Sequence, residues 1–443
     1  MPLAEQLGLE AFDVGLIGAG VMLVLVLAGV RVFIAAALVG LFGLIALLGW
    51  EAGSGMAGTV PHSKSAAYAL SVLPMFLLIG YLAFHAGLTD AIFDAARKWF
   101  SWAPGGLAVA TVFATAGFAA VSGASTATAA VFARVAIPEM LSHGYDRRLA
   151  AGVVAAGGTL ASLIPPSGIL VIYAIIVEES VAKLLLAGFI PGIISAVIYA
   201  LLISGRVVLN PKLAPARESF SWTQRFKSVP GTTPIIAVVV IIFSAIYGGW
   251  ATPTEAGALG AFVVLVIALV RGMKMKQLKN ALFETAMLTV MIFSIVWGVL
   301  LFVRFLGFAG LPDAFAEYIA SLDMPPVMIV IMILIGYTVL GMFMDAIGML
   351  LLTLPVVYPA VIGLGYDPIW FGIIVVKMVE ICLITPPIGL NCYVVNGVRP
   401  DIPLEDVFKG IAPFFIADVI TVGVFIAWPE TITFLPDLMV ANR

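Results

Sequence analysis

The sequence predicts an all-α polytopic membrane protein built from inverted repeats, each with a re-entrant helical hairpin and a broken helix. Three observations predict it. Hydrophobic residues make up 62% of the chain and charged residues 11%, against about 45–50% and about 25% in a soluble domain. A set of turn-forming landmarks recurs at one constant interval. Lys and Arg are biased to one set of loops.

The interval is 221 residues. Pro138, Gly144-Tyr145-Asp146, Pro165-Pro166 and Gly168 return as Pro359, Gly365-Tyr366-Asp367, Pro386-Pro387 and Gly389. Four separate landmarks at one offset indicate an internal duplication.

Apolar segments long enough to cross a bilayer run at about 13–29, 32–50, 69–86, 149–175, 184–204, 231–248, 255–270, 283–306, 369–395 and 410–428. Two further apolar regions, about 105–139 and 325–360, are interrupted, the first at Ser122-Gly123-Ala124-Ser125 and the second at Gly341-Met342-Phe343-Met344-Asp345. Each half is short for a crossing. A hairpin that enters and returns to its own side fits better, with its tip buried in protein or lining a wet cavity.

The basic residues test this. With the N-terminus outside, the inner loops hold Arg31, Arg97, Lys98, Arg147, Arg148, Arg206, Lys212, Arg217, Arg225, Lys227, Arg271, Lys274, Lys276, Lys279, Arg399 and Lys409. The outer loops and tail hold Lys64, Lys183 and Arg443, and Arg134, Arg304 and Lys377 lie within apolar segments. That bias orients the protein only if both interrupted regions are re-entrant. The first hairpin then opens to the cytoplasm and the second to the outside. The expected organisation is N-terminal scaffold helices (1–68), repeat 1 (69–204; hairpin about 105–139, broken helix about 149–175), linking helices (205–282), repeat 2 (283–428; hairpin about 325–360, broken helix about 369–395) and a C-terminal tail (429–443). Inverted repeats whose broken segments meet at mid-depth are the mark of secondary transporters.

Other classes find less support. The net charge of -3 is uninformative, and no basic patch with interleaved aromatics points to nucleic acid. Cys382 and Cys392 are ten residues apart in one apolar segment and read as structural thiols. Met1 to Asp13 carries acids and no Lys or Arg, so no cleavable signal peptide is expected. His62, His85 and His143 are scattered and make no metal site.

The tip Ser122–Thr128 offers hydroxyls and turn carbonyls. The prolines in Leu163–Gly168 free carbonyls one turn earlier. Oxygens with few charges suit a hard monovalent cation such as sodium. The second copy offers Asp345 at its tip and Thr385, Pro386, Gly389 and Asn391 at its break. An ionisable group near mid-membrane is by default a functional hypothesis. Thr128, one turn past the tip, has the geometry to bond back to a carbonyl. Lys377 and Glu380 share one helical face and are expected to pair. Arg304 and Arg134 are expected to snorkel. Plain packing by small residues and plain kinking by Pro-Pro are the structural alternatives for the two breaks.

Ser122-Gly123-Ala124-Ser125-Thr126-Ala127-Thr128, the Ile164-Pro165-Pro166-Ser167 break, and Glu380 followed by Thr385-Pro386-Pro387-Ile388-Gly389-Leu390-Asn391 resemble the large membrane subunit of the tripartite ATP-independent periplasmic (TRAP) transporters, DctM type, over essentially the whole chain. The resemblance implies an elevator-type carrier of the ion transporter superfamily in the bacterial inner membrane, importing an organic anion with sodium. The sodium ions are transported, not a resident cofactor. It implies a small four-helix membrane subunit (DctQ type) and a periplasmic binding protein (DctP type) that delivers a C4-dicarboxylate or a sialic-acid-like carboxylate. One sodium site would map to Ser122, Gly123, Ser125, Thr126, Gly158, Thr159 and Pro165. A second would map to Gly341, Asp345, Thr385, Pro386 and Gly389. Substrate would lie between the tips, with Ser122, Ser125, Ser167 and Asn391. Neither tip carries Arg or Lys, so helix N-termini, hydroxyls, Asn391 and bound sodium would hold the anion.

A proton-coupled carrier of the same architecture, using Glu380 or Asp345, is the alternative. An enzyme is not expected. Tyr145-Asp146 and Tyr366-Asp367 superficially suggest an intramembrane aspartyl protease, but they fall on opposite sides of the membrane, and no His-Glu-x-x-His occurs.

Overall fold

A constant interval between landmarks becomes a constant interval between helices. The computed structural model describes residue 4 and residues 8–66, 68–215, 219–344 and 346–441. It is helical, with no strand among the described residues. The N-terminal segment forms α1 (Ala11–Leu27), α2 (Val32–Leu48) and α3 (Trp50–Ser65). The first repeat contains α4 (Val72–His85), α5 (Leu88–Phe100), α6 (Gly106–Ser122), α7 (Ser125–Ser142), α8 (Arg147–Thr159), α9 (Gly168–Ile176), α10 (Val181–Ala187) and α11 (Phe189–Leu209). The link is α12 (Trp222–Tyr247) and α13 (Pro253–Val270). The second repeat contains α14 (Met275–Phe308), α15 (Leu311–Ala320), α16 (Pro326–Gly341), α17 (Ala346–Gly363), α18 (Pro368–Ile384), α19 (Leu390–Val398) and α20 (Leu404–Ala427); α21 (Glu430–Ala441) follows.

Helices α7 and α17 begin 221 residues apart, at Ser125 and Ala346; so do α8 and α18, at Arg147 and Pro368. The caps explain part of this. The Asp146 carboxylate accepts the backbone N–H groups of Arg148 and Leu149 at the start of α8. Asp367 accepts that of Trp370 at the start of α18. The Tyr-Asp pairs are therefore helix starts. Tyr145 is spent as well, since its hydroxyl accepts the Leu107 N–H at 3.0 Å.

Among the described residues, six helices are long and apolar enough to cross a membrane, or seven if α4 and α5, bent by 73°, count as one. Helices α6 and α16, the first arms of the two interrupted regions, fall among the shorter ones. At 17 and 16 residues respectively each spans about 25 Å, less than the ~30 Å hydrocarbon core.

Helix α20 acts as a ruler for the two copies. Near its start, Asp406 pairs with Arg147 at 2.5 Å and Arg148 at 2.7 Å, at the base of the first hairpin. Near its end, the Phe425 carbonyl accepts Trp370 Nε1–H at 3.0 Å, at the base of the second. Asp406 and Phe425 are about 28 Å apart along the helix. The equivalent helix starts around Arg147 and Trp370 therefore meet opposite ends of α20. Packing obeys the same exchange: α7 packs on α19, and its counterpart α17 packs on α9.

Two cores result. Ala35, Ala36 and Leu44 of α2 close on Val299, Phe302 and Phe305 of α14. A larger core joins the hairpins and broken helices to α11 and α20 and reaches α4 and α12 to α14. The segment expected as a tail carries α21, which packs on α10 and α18. The two cysteines are buried and free.

Candidate ion and substrate site

The first break is a knot of backbone and hydroxyl groups. Helix α6 ends at Gly123, whose φ of 60° is left-handed. The Pro166 carbonyl oxygen occupies the place a Cβ would take. Only glycine fits both demands. The Gly123 carbonyl then accepts the Gly168 N–H at 3.4 Å. The hairpin tip is thereby joined to the broken helix.

Pro166 has no N–H for the Ser162 carbonyl four residues earlier. The Ser167 hydroxyl donates to that carbonyl instead, and the same hydroxyl caps Leu170 N–H at 3.3 Å. The Ser162 hydroxyl bonds the Ser125 hydroxyl. Ser122 and Thr128 hydroxyls meet at 2.8 Å, and Thr128 also bonds back to the Ala124 carbonyl at 3.0 Å. Ser122, Ser125, Thr128, Ser162 and Ser167 are all buried, whereas Thr126 is exposed. Gly158 packs on Ala129 of the hairpin. Thr159 is buried and bonds the Ala156 carbonyl at 2.7 Å. Pro165 is buried too.

The second break is built differently. Gly341 packs on Cys382, and the Thr385 hydroxyl donates to the Ile381 carbonyl at 2.5 Å. Pro386 and Pro387 are exposed, unlike Pro165 and Pro166. Both diprolines carry a cis peptide bond. Gly389 is left-handed, with φ 46°. Asp345, expected to supply the charge here, lies outside the described residues. Asn391 reaches across to the first copy, where its Nδ2–H donates to the Ala155 carbonyl at 3.1 Å, one turn before Gly158. Its Oδ1 is buried without a partner. In the loop after α19, a two-point hydrogen bond from Arg399 holds the Asp401 carboxyl below its ordinary range.

Of the residues expected at the first ion site, the structure unites Gly123 with the Pro166–Gly168 turn, and Ser125 with Ser162. Of the expected substrate residues, Ser125 and Ser167 meet at Ser162. Ser122 and Asn391 bond elsewhere, to Thr128 and Ala155. Sequence reasoning did not single out Ser162 within the 158–167 stretch, although its place four residues before Pro166 marked its carbonyl as freed.

Beside the site, the expected Lys377–Glu380 pair is present at 2.6 Å. Lys377 also meets Asp418 of α20 at 2.7 Å, and the Tyr199 hydroxyl of α11 donates to Asp418 at 2.6 Å. All four residues are 0% exposed. Asp418 was overlooked, though an acid inside the apolar run 410–428 was a visible signal.

Two cavities flank the hairpins. One of about 210 Å3 lies between α4, α6, α7 and α14, with Ser122, Arg134 and Glu284 in its wall. The other, about 770 Å3, lies between α9, α14 and α17 and is lined by Arg304, Glu178 and Glu179. Both Arg134 and Arg304, expected to snorkel, line a cavity. No cluster of His, Cys, Asp and Glu able to hold a metal occurs among the described residues.

Known proteins resemble the chain in fold or in sequence. A solved structure of the YdaH transporter from Alcanivorax borkumensis has the same fold, with a TM-score of 0.59 at 14% identity over 87% of this chain and 91% of that one. The chain is 34% identical over 376 residues to the C4-dicarboxylate TRAP transporter large permease protein DctM of Pseudomonas aeruginosa, covering 84% of this chain and 86% of that protein. It is 31% identical over 424 residues to the protein of the same description from Vibrio cholerae, covering 90% and 91%. It is 29% identical over 373 residues to the sialic acid TRAP transporter large permease protein SiaM of Vibrio cholerae, covering 84% and 87%. The family model described as "Tripartite ATP-independent periplasmic transporter, DctM component" matches residues 19–431. With its crossing helices, its paired breaks and this match, the chain is a multi-pass protein of the bacterial inner membrane and belongs to the DctM family of TRAP transporter large permeases.

Proposed function

We propose that this chain is the large subunit of a sodium-coupled carrier importing an organic anion, a C4-dicarboxylate or a sialic-acid-like carboxylate. The observation that carries the reading is the junction of Gly123 with Pro166 and Gly168. It gathers the Ser125, Ser162 and Ser167 oxygens where hairpin and broken helix meet. Such oxygens replace the hydration shell of a hard monovalent cation without adding fixed charge. Asp345 would add the formal charge of a second ion site, with Gly341, Thr385, Pro386 and Gly389.

The anion is placed between the two breaks, beside Ser125, Ser167 and the open Oδ1 of Asn391. The relatives named above are described as C4-dicarboxylate and sialic acid transporters, which supports this substrate class. A small four-helix subunit and a periplasmic binding protein complete the system. In the cycle, the hairpins and broken helices move as one body against α1 to α4 and α12 to α14. Coupling follows when that motion is favourable only with ion and anion both bound.

The test is uptake into proteoliposomes containing both membrane subunits, with binding protein and substrate outside. A sodium gradient should drive accumulation. Uptake that ignores sodium and follows a pH gradient alone would establish the proton-coupled reading. That second reading draws on the buried Lys377–Glu380–Asp418 network, where Glu380 Oε1 and Asp418 Oδ2 lack partners.

A further inference from the structure

A third cavity lies away from the transport site. It is a groove of about 490 Å3 between the arm helix α5, the hairpin helix α6 and the linking helix α12. Ile92 and Trp99 form one wall, Phe113 and Ala120 another, and a stripe of α12 from Val229 to Val240 the third. The polar atoms in these walls are already used. Thr232 Oγ1–H donates to the Val229 carbonyl at 2.8 Å, and Trp99 Nε1–H donates to the Arg225 carbonyl at 3.2 Å. What remains is hydrocarbon-like.

The length of the groove is informative. From Val229 to Val240, α12 rises about 16 Å. One leaflet of the hydrocarbon core is about 15 Å, half of ~30 Å. The groove is as long as one acyl layer.

Its end is cationic and aromatic. Trp99 packs edge-on against Trp222 and Phe226, with centroids 6.4 and 5.7 Å away. The Arg225 guanidinium sits 4.9 Å above the Trp222 ring, and its Nε is buried without a hydrogen-bond partner. Arg271, from the loop after α13, reaches the Gly231 carbonyl at 3.5 Å, which brings the second basic loop to the same end of α12. The neighbouring Arg97 and Lys98 are already paired with Glu139 and Asp94. This is the basic-rich, cytoplasmic end of the protein, where interfacial Trp and clustered Lys and Arg meet anionic headgroups.

We infer that the groove holds one acyl chain of an anionic phospholipid whose phosphate rests on Arg225 and Arg271. The lipid would lie between the first hairpin and α12, so that this face of the hairpin slides on hydrocarbon and not on packed side chains. A neutral lipid fills the groove but leaves the two cations unmatched. A helix of the small subunit is the competing occupant.

The full chain, reconstituted in nanodiscs, tests this by fluorescence. Phosphatidylglycerol brominated on its acyl chains should quench Trp99 at lower mole fraction than brominated phosphatidylcholine, with Trp99→Phe giving the background. Replacing Arg225 and Arg271 by Gln should weaken that preference by roughly five-fold per cation. Ala120→Leu, which narrows the groove and keeps the cations, should reduce quenching by both lipids. Equal quenching by the two lipids in the unaltered chain overturns the inference. So does a preference that survives the double replacement, or quenching abolished by adding the small subunit.

Discussion

Lys377 Nζ lies 2.7 Å from Asp418 Oδ1 and 2.6 Å from Glu380 Oε2, with no exposure of any of the three side chains. One ammonium thus bridges α18, which carries the second break, to α20, which spans the two hairpin bases. Tyr199 extends the bridge to α11.

Lys377→Met should therefore be among the most damaging single changes. It leaves two buried carboxylates without a cation, a loss of about 3–5 kcal/mol. Asp418→Asn should cost much less, because Lys377 and Glu380 remain a matched pair. Thermal unfolding of the two purified variants in one detergent checks the order.

Gly123→Val should abolish uptake. The left-handed backbone costs a branched residue about 1–2 kcal/mol, and its Cβ collides with the Pro166 carbonyl. Gly144→Ala is the control. It has the same strained sign of φ, at 80°, but open space around it. Its uptake should stay near that of the unaltered protein, measured in proteoliposomes at equal folded protein.

Ser162→Ala removes the hydroxyl that holds Ser125 and keeps the carbonyl that holds Ser167. The loss of one hydrogen bond, about 1 kcal/mol, predicts a roughly five-fold rise in the sodium concentration for half-maximal uptake. An unchanged sodium dependence would remove Ser162 from the ion site.

Asp345→Ala should abolish transport while leaving the amount of folded protein unchanged. Uptake with ordinary sodium dependence in that variant would take Asp345 out of the second ion site.

The sequence by itself determined the class, the duplication and the register. Composition cannot satisfy a soluble fold, and turn-forming residues at a 221-residue interval dictate where helices stop. That is why Ser125 and Ala346, or Arg147 and Pro368, begin equivalent helices. Local chemistry was also legible: Thr128 bonding back to Ala124, and Lys377 facing Glu380 three residues away. What only the tertiary structure decided involves partners far apart in the chain. Asp418 joins Lys377 from 41 residues away, Asn391 reaches the Ala155 carbonyl of the other copy, and Arg225 and Arg271 converge on one end of α12. Helical periodicity fixes which face a residue occupies within about one turn. It carries no information on which distant helix will pack there, and that packing decides whether a buried charge is matched, open or bound to lipid.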